Sequence, residues 1–297
     1  MTFVLLLPRD NARAIFKLFS PALGVPLAER SYGDDCRFYT PERDSHFANF
    51  KDAFYDVHTV AHLVGWFGKM LVLRDFWMAW ALSILFEWCE FSLEHILPNF
   101  IECWWDHALL DLFGCNFFGM LAGYAIIIIY DMPRFNWVKN EKTNKFVLFD
   151  NSRRFWLVVL YIAFMLAVDV NNFFLKSVLW IEAESELLKF RVAIWGFCGL
   201  AATAEYNELV EGKKIKDMPF VSLAFYTCAV EIAIWLKFFP HMGYNMERDH
   251  PNYVYMDYAV LSLVVVGALT ALLFGKNEQI ETNEAKEGKK KIEPSPK

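Results

Sequence analysis

The chain carries no excess of basic charge: 29 Lys and Arg against 35 Asp and Glu leave a formal net charge of −6. That charge is dispersed and no basic stripe is present, which excludes nucleic acid as a partner. There is no Asn-x-Ser/Thr sequon, so nothing points to a glycosylated exterior face. Six cysteines occur without a Cys-x-x-Cys pair. Cys89, Cys103, Cys115, Cys198 and Cys228 fall in or beside apolar runs and only Cys36 lies in a polar loop, so neither a zinc pair nor a disulfide framework is expected. Met1–Pro8 has neither the basic start nor the small-residue cleavage site of a signal peptide.

What the chain has in quantity is apolar surface. Of its 297 residues 56% are hydrophobic and 18% aromatic, above the roughly 45–50% apolar content of a soluble domain. A spanning helix needs about 20 mostly apolar residues. Candidate spans lie near residues 54–73, 76–97, 105–130, 155–180, 186–204, 219–238 and 255–274. The fold class expected is all-α, a polytopic transmembrane helical bundle of about seven spans. The number becomes eight if Met1–Pro8 is the stump of a longer helix.

Three regions follow. Residues 1–53 form an N-terminal stump and polar cap, with an amphipathic stretch at Asn11–Leu18. Residues 54–275 form the transmembrane catalytic domain. Residues 276–297 alternate Lys and Glu and lack the apolar content to fold alone, so they read as a disordered tail. The longest internal polar connection, 131–154, holds Arg134, Lys139, Lys142, Lys145, Arg153 and Arg154 and is assigned to the cytosol. Four candidate spans separate it from the tail, which places both on one side.

Acidic residues interrupt the second and third spans. A charged side chain near the bilayer centre costs roughly 2.5–3.5 kcal/mol, so such residues face one another, a cation or water. At about 100° per residue, Ser83, Glu87, Glu90 and Glu94 fall on one stripe. In the next span Glu102, Asp106, Phe113 and Asn116 share a face, whereas Asp111 falls roughly opposite on an unbroken helix. Asp111 therefore serves a second partner or reports a distortion. In the first span His58, His62, Gly65 and Lys69 align, giving His62 as a candidate general base and Gly65 as a point of close helix approach. Pro98 and Asn99 break the chain between spans and leave backbone groups free there.

Hard oxygen ligands at this density suit Ca²⁺, Mg²⁺ or Mn²⁺ better than zinc. The plainer alternative is that the acids pair with Lys69, Arg74 or one another. Asp169, Asn171 and Asn172 are read either as lining the same cavity or, like Arg191 and Glu231, as helix–helix pairings. The tryptophans Trp66, Trp77, Trp80, Trp88, Trp104 and Trp105 read as interfacial belts and packing. An ion-coupled membrane transporter with a midplane carboxylate site is the rival from another class. It predicts internal repeats and matching broken helices, and neither is seen. A di-iron reading of His58-x-x-x-His62 finds only seven scattered histidines and no adjacent pair.

The runs Ala61-His62-Leu-Val-Gly65-Trp66-Phe-Gly-Lys69, Phe86-Glu87-x-x-Glu90 and Leu97-Pro98-Asn99-Phe-x-Glu102-Cys103-Trp104-Trp105-Asp106, followed by Asp111 and Cys115-Asn116, closely resemble the eukaryotic phosphatidylserine synthases of the base-exchange type. Weaker likeness runs from Arg9-Asp10-Asn11-Ala12-Arg13 to about residue 270. The resemblance implies an enzyme of the endoplasmic reticulum membrane that exchanges a phospholipid head group for L-serine, with Ca²⁺ and without ATP. The family's essential polar positions match His62, Glu87, Glu90, Asn99, Glu102, Asp106, Asp111 and Asn116, and all eight are intact. Glu29-Arg30-Ser31-Tyr32-Gly33 and Ser92-Leu93-Glu94-His95 are more similar to the ethanolamine-exchanging form than to the choline-exchanging one.

On that resemblance Glu90, Glu102 and Asp106 are assigned to Ca²⁺, with Asp111 a ligand or behind one. His62 and Glu87 are assigned to catalysis, and Asn99 and Asn116 to substrate. Phosphatidylethanolamine or phosphatidylcholine and L-serine are the implied partners, and a homodimer is the one protein partner weighed. Departures from the family pattern are the short start, Lys145–Asn151 in place of a Phe-Thr-Pro-x-Ser-Trp stretch, Asp169 for an expected Glu, and no Arg near Ala204 and Glu205. The CDP-diacylglycerol route to phosphatidylserine uses an Asp-Gly-x-x-Ala-Arg signature, and no Asp-Gly dipeptide occurs here.

Overall fold

Helices begin where the sequence supplies a cap. In the computed structural model, which describes residues 2–27, 33–138, 151–182, 184–213 and 217–239 with Ser262 and Val265, Asp56 accepts from the His58 amide at 3.0 Å and Asp75 from the Met78 amide at 2.8 Å. These caps satisfy amides that a helix start otherwise leaves unpaired. Asn151 and Ser185 do the same for Arg154 and Leu188, and Pro219 opens the last described helix in the first turn, where no amide is needed. Arg74 and Trp180 close two helices in the left-handed conformation.

In chain order a 3-10 turn at Thr2–Leu6 precedes α1 (Arg9–Phe16), α2 (Ala48–Phe54), α3 (Val57–Leu73) and α4 (Phe76–Leu93). A second 3-10 turn, Pro98–Phe100, leads to a π-helix, Asp106–Asn116, which continues directly into α5 (Phe117–Ile129). Then come α6 (Ser152–Leu179), α7 (Glu186–Val210) and α8 (Pro219–Phe238). No strand occurs among the described residues. Six of the seven expected spans are thus helical. Four helices, Asp106–Ile129, α6, α7 and α8, are long and apolar enough to cross a membrane, and α3 and α4 are shorter. The span expected at 255–274, apart from Ser262 and Val265, lies outside the described residues, as do the charged tail and residues 139–150 of the 131–154 connection.

The main core joins α3, α4, α5, α6 and α7 through Trp66, Met70, Leu82, Met120, Tyr161 and Tyr206. A second core ties the cap to the far ends of α6, α7 and α8 through Val4, Phe16, Leu179, Leu188 and Ile234. Large apolar side chains such as Phe118, Phe197 and Leu223 face outward, as a bilayer-facing surface requires.

Close helix approach occurs at other glycines than the one expected. A Cβ on Gly65 would meet nothing within 4 Å. On α5, however, a Cβ on Gly119 would overlap the Leu63 carbonyl oxygen, and one on Gly123 would lie 2.8 Å from the Phe67 carbonyl oxygen. Gly119 and Gly123 are four residues apart on one face, and they let α5 press against the stretch of α3 that carries His62.

Contrary to the expectation of no disulfide, Cys36 and Cys103 are bonded. Hydropathy assigned Cys103 to the edge of a span. The break at Pro98 instead takes residues 98–105 off the helical path: Phe100 packs on Phe173 and Phe174 of α6, whereas Cys103 and Trp105 meet the cap. Trp105 Nε1 donates to the Cys36 carbonyl at 3.1 Å, and its ring meets those of Phe38 and Phe50.

The remaining buried charges pair away from the acidic cluster. Arg191 clasps Glu231 at 2.6 and 2.8 Å and also donates to Asn172. Lys69 pairs with Asp169 at 2.8 Å, and Asn171 bonds Glu231 and Trp235. Asp169, Asn171 and Asn172 therefore join helices instead of lining the cluster.

Two outcomes follow. Gly119→Val is expected to cost about 1–3 kcal/mol by overpacking, seen as a lowered Tm in micelles, whereas Gly65→Ala, which meets nothing and favours the helix, does not lower the Tm. Denatured but unreduced protein is expected to titrate four thiols, those of Cys89, Cys115, Cys198 and Cys228, and reduction is expected to release the Cys36–Cys103 pair as well.

Candidate functional site

The last two turns of α4, the first turns of α3 and the π-helix meet at one end of the bundle. On an α-helix five residues advance to about 140° from the starting face. A π-helix bonds residue i to i+5, so residues five apart return close to register. Asp106, Asp111 and Asn116 are spaced by five and share the π-helix. The distortion that Asp111's position called for is therefore the winding itself. Gly114 fits this winding: a Cβ there would sit 2.9 Å from the carbonyl oxygen of Leu109, five residues back.

Asn116 is fully buried at 0% exposure and links three helices. Its Nδ2 donates to Ser83 Oγ at 3.0 Å and to Glu87 Oε1 at 2.9 Å, and its Oδ1 lies 3.1 Å from His62 Nδ1. His62 Nδ1 is also 3.6 Å from Asp111 Oδ1. On the other flank His107 Nδ1 lies 3.2 Å from Glu87 Oε2, 3.8 Å from Glu102 Oε2 and 4.0 Å from Glu90 Oε2. A cleft of ≈ 30 Å³ opens between His58, His62, Glu102, Asp106 and Asp111. The larger cavity, ≈ 310 Å³, is apolar, lies between α6, α7 and α8, and shares no lining residue with this cleft.

Five carboxylates converge, and among the described residues no Lys or Arg pairs with them. Lys69 is taken by Asp169, and Arg74 donates to the Leu71 and Pro133 carbonyls. Glu90 is 2% exposed. Its Oε2, and Oε2 of Glu102, are enclosed without a hydrogen-bond partner among the described residues. Burial, followed by the charges of Asp111 and Asp106, pushes the Glu102 carboxyl on the connector well above the ordinary range. A hard divalent cation answers both the excess charge and the unpartnered oxygens. Donor atoms of Glu87, Glu90 and His107, and of Glu102, His107 and Asp111, lie within 4.8 Å of one another in each group. The residues present therefore fit such an ion.

The structure thus brings together His62, Glu87, Glu90, Glu102, Asp106, Asp111 and Asn116. Asn99 stands on the Pro98–Phe100 turn, where Lys176 Nζ of α6 donates to it. Sequence reasoning missed His107. Its neighbour Asp106 was in view, but only the π winding swings His107 between Glu87 and Glu102, and the spacing gave no hint of that.

The model of the phosphatidyl serine synthase family matches residues 1–239. The chain is similar to CDP-diacylglycerol–serine O-phosphatidyltransferase 2 of Oryza sativa subsp. japonica, 33% identical over 91% of this chain and 69% of the relative. It is 35% identical to CDP-diacylglycerol–serine O-phosphatidyltransferase 1 of Arabidopsis thaliana over 80% of this chain and 62% of the relative. To phosphatidylserine synthase 2 of Homo sapiens it is 35% identical over 81% of this chain and 54% of the relative. The matches thus span between about half and two thirds of these relatives' lengths.

Proposed function

The chain belongs to the phosphatidyl serine synthase family, and from that membership we propose that it makes phosphatidylserine by base exchange in the endoplasmic reticulum membrane. The donor on this reading is an ethanolamine phospholipid, with phosphatidylcholine as the alternative, and the acceptor is L-serine. The observation that carries the reading is a cluster of five carboxylates with which, among the described residues, no Lys or Arg pairs, beside a histidine whose Nδ1 is held by a buried amide.

Exchange swaps one phosphodiester alcohol for another of similar energy, so no nucleotide is required. The barrier is bringing a hydroxyl to an anionic phosphate. Of the assigned ligands, Glu102 and Asp111 share one group of neighbouring donor atoms and Glu90 belongs to the adjoining one; these would hold Ca²⁺, whereas Asp106 belongs to neither group and lines the cleft wall. Bound there, the ion supplies neutralisation of the phosphate and of the charge that builds on it. Asn116 Oδ1 can only accept, so His62 Nδ1 carries the proton and Nε2 offers a lone pair. His62 Nε2 takes the serine hydroxyl proton as the serine oxygen–phosphorus bond forms. The bond to the departing alcohol breaks, and that alcohol leaves with the proton. Whether serine attacks directly or a phosphatidyl-His62 forms first is decided by inversion or retention at phosphorus.

The names of the plant relatives favour a second reading, in which CDP-diacylglycerol is the donor. The missing Asp-Gly-x-x-Ala-Arg signature weighs against it. Incorporation of labelled serine by purified protein in mixed micelles separates the two, with each donor lipid offered alone and Ca²⁺ present or chelated. Incorporation from phosphatidylethanolamine that needs Ca²⁺ but no CTP or ATP is expected. His62→Ala is expected to lower it by about 10²–10⁴-fold, and Glu102→Gln to abolish its calcium response. Incorporation from CDP-diacylglycerol alone would replace base exchange with the second reading.

A further inference from the structure

His107 ends a chain of four side chains drawn from α3, α4 and the π-helix. His62 Nδ1 meets Asn116 Oδ1 at 3.1 Å, Asn116 Nδ2 meets Glu87 Oε1 at 2.9 Å, and Glu87 Oε2 meets His107 Nδ1 at 3.2 Å. The chain has one polarity. A carboxylate only accepts, so the nitrogen of Asn116 must face Glu87 and its oxygen must face His62. Ser83 does not enforce this, because its hydroxyl, 3.0 Å from Asn116 Nδ2, accepts or donates equally well. The orientation of the buried amide therefore depends on Glu87. The orientation of Glu87 in turn depends on the group that receives its other oxygen.

We infer that His107 is a positioning residue: its Nδ1–H holds Glu87 Oε2, which aims Oε1 at Asn116 and so fixes the ring and tautomer of His62. At 3.8 and 4.0 Å, Glu102 and Glu90 are too far to take that hydrogen in its place. With His107 removed, the Glu87 carboxylate is free to turn, and the amide loses the one contact that tells its oxygen from its nitrogen. His62 then samples the tautomer with Nε2 protonated, which has no lone pair to take the serine proton. The effect on turnover rests on the proposed role of His62 as base, whereas the effect on its tautomer does not.

The test uses His107→Ala, His107→Asn and His107→Gln in the full chain. Asparagine places an N–H near the Nδ1 position, and glutamine reaches toward the Nε2 position. Serine incorporation should fall about 10- to 100-fold in the Ala and Gln variants, through kcat with serine KM unchanged. The Asn variant should recover most of the rate, and terbium luminescence should show unaltered cation binding in all three. Nitrogen-15 histidine spectra, with the His62 signal assigned by its loss in His62→Ala, should show one tautomer in wild type and a mixture in His107→Ala. Wild-type turnover in His107→Ala, or an unmixed tautomer there, overturns the inference. So does weakened terbium binding in Ala, which would make His107 a ligand in the groups of donor atoms it shares with Glu87, Glu90, Glu102 and Asp111, through Nε2 if Gln rescues and through Nδ1 if it does not. Protein that is inactive with every donor yet shows the tautomer change would overturn base exchange while supporting this inference.

Discussion

Uncompensated negative charge at one end of a membrane bundle is the constraint to which the rest of the structure answers. Glu87, Glu90, Glu102, Asp106 and Asp111 converge with only histidines beside them among the described residues. Ionised carboxylates taken out of water without a pairing charge are costly. Such a cluster depends on the protein around it to hold the carboxylates together. The fold provides the enclosure. Glycine packing presses α5 onto α3, the π-helix turns Asp111 inward, and the Cys36–Cys103 bond ties the Glu102 connector to the cap.

The charges that might have neutralised the cluster are used elsewhere. Lys69 goes to Asp169 and Arg191 to Glu231, in pairings that join α3 to α6 and α7 to α8. Burying an ion pair gains little unless its remaining hydrogen bonds are met. Arg191 meets that condition through Asn172 and the Val168 carbonyl as well. Polar groups inside the bundle thus fall into a set whose cations and carboxylates pair across helices and a carboxylate cluster that, among the described residues, has only histidines beside it.

Much of this was legible in the sequence. Apolar run lengths located the helices because a bilayer imposes a minimum span, and the 3.6-residue period put Ser83, Glu87 and Glu90 on one face of α4. The same period flagged Asp111 as out of place. It did not reveal the π-helix, since that winding depends on tertiary contacts at which Gly114 only hints. Gly65 was singled out for close approach because it aligns with His62, but approach is decided by the partner helix, and there Gly119 and Gly123 carry it. The Cys36–Cys103 bond and the place of His107 were hidden for a like reason. Both depend on where Pro98 sends the chain, and one-dimensional hydropathy does not record that direction.

The most direct test is equilibrium calcium binding to the purified protein in micelles, wild type beside Glu90→Gln and Asp111→Asn. The account predicts one saturable site, weakened roughly tenfold or more in both variants, although the two residues stand on different helices and α-helical periodicity would turn Asp111 away. Binding by Asp111→Asn equal to wild type, or no saturable binding at all, would contradict it.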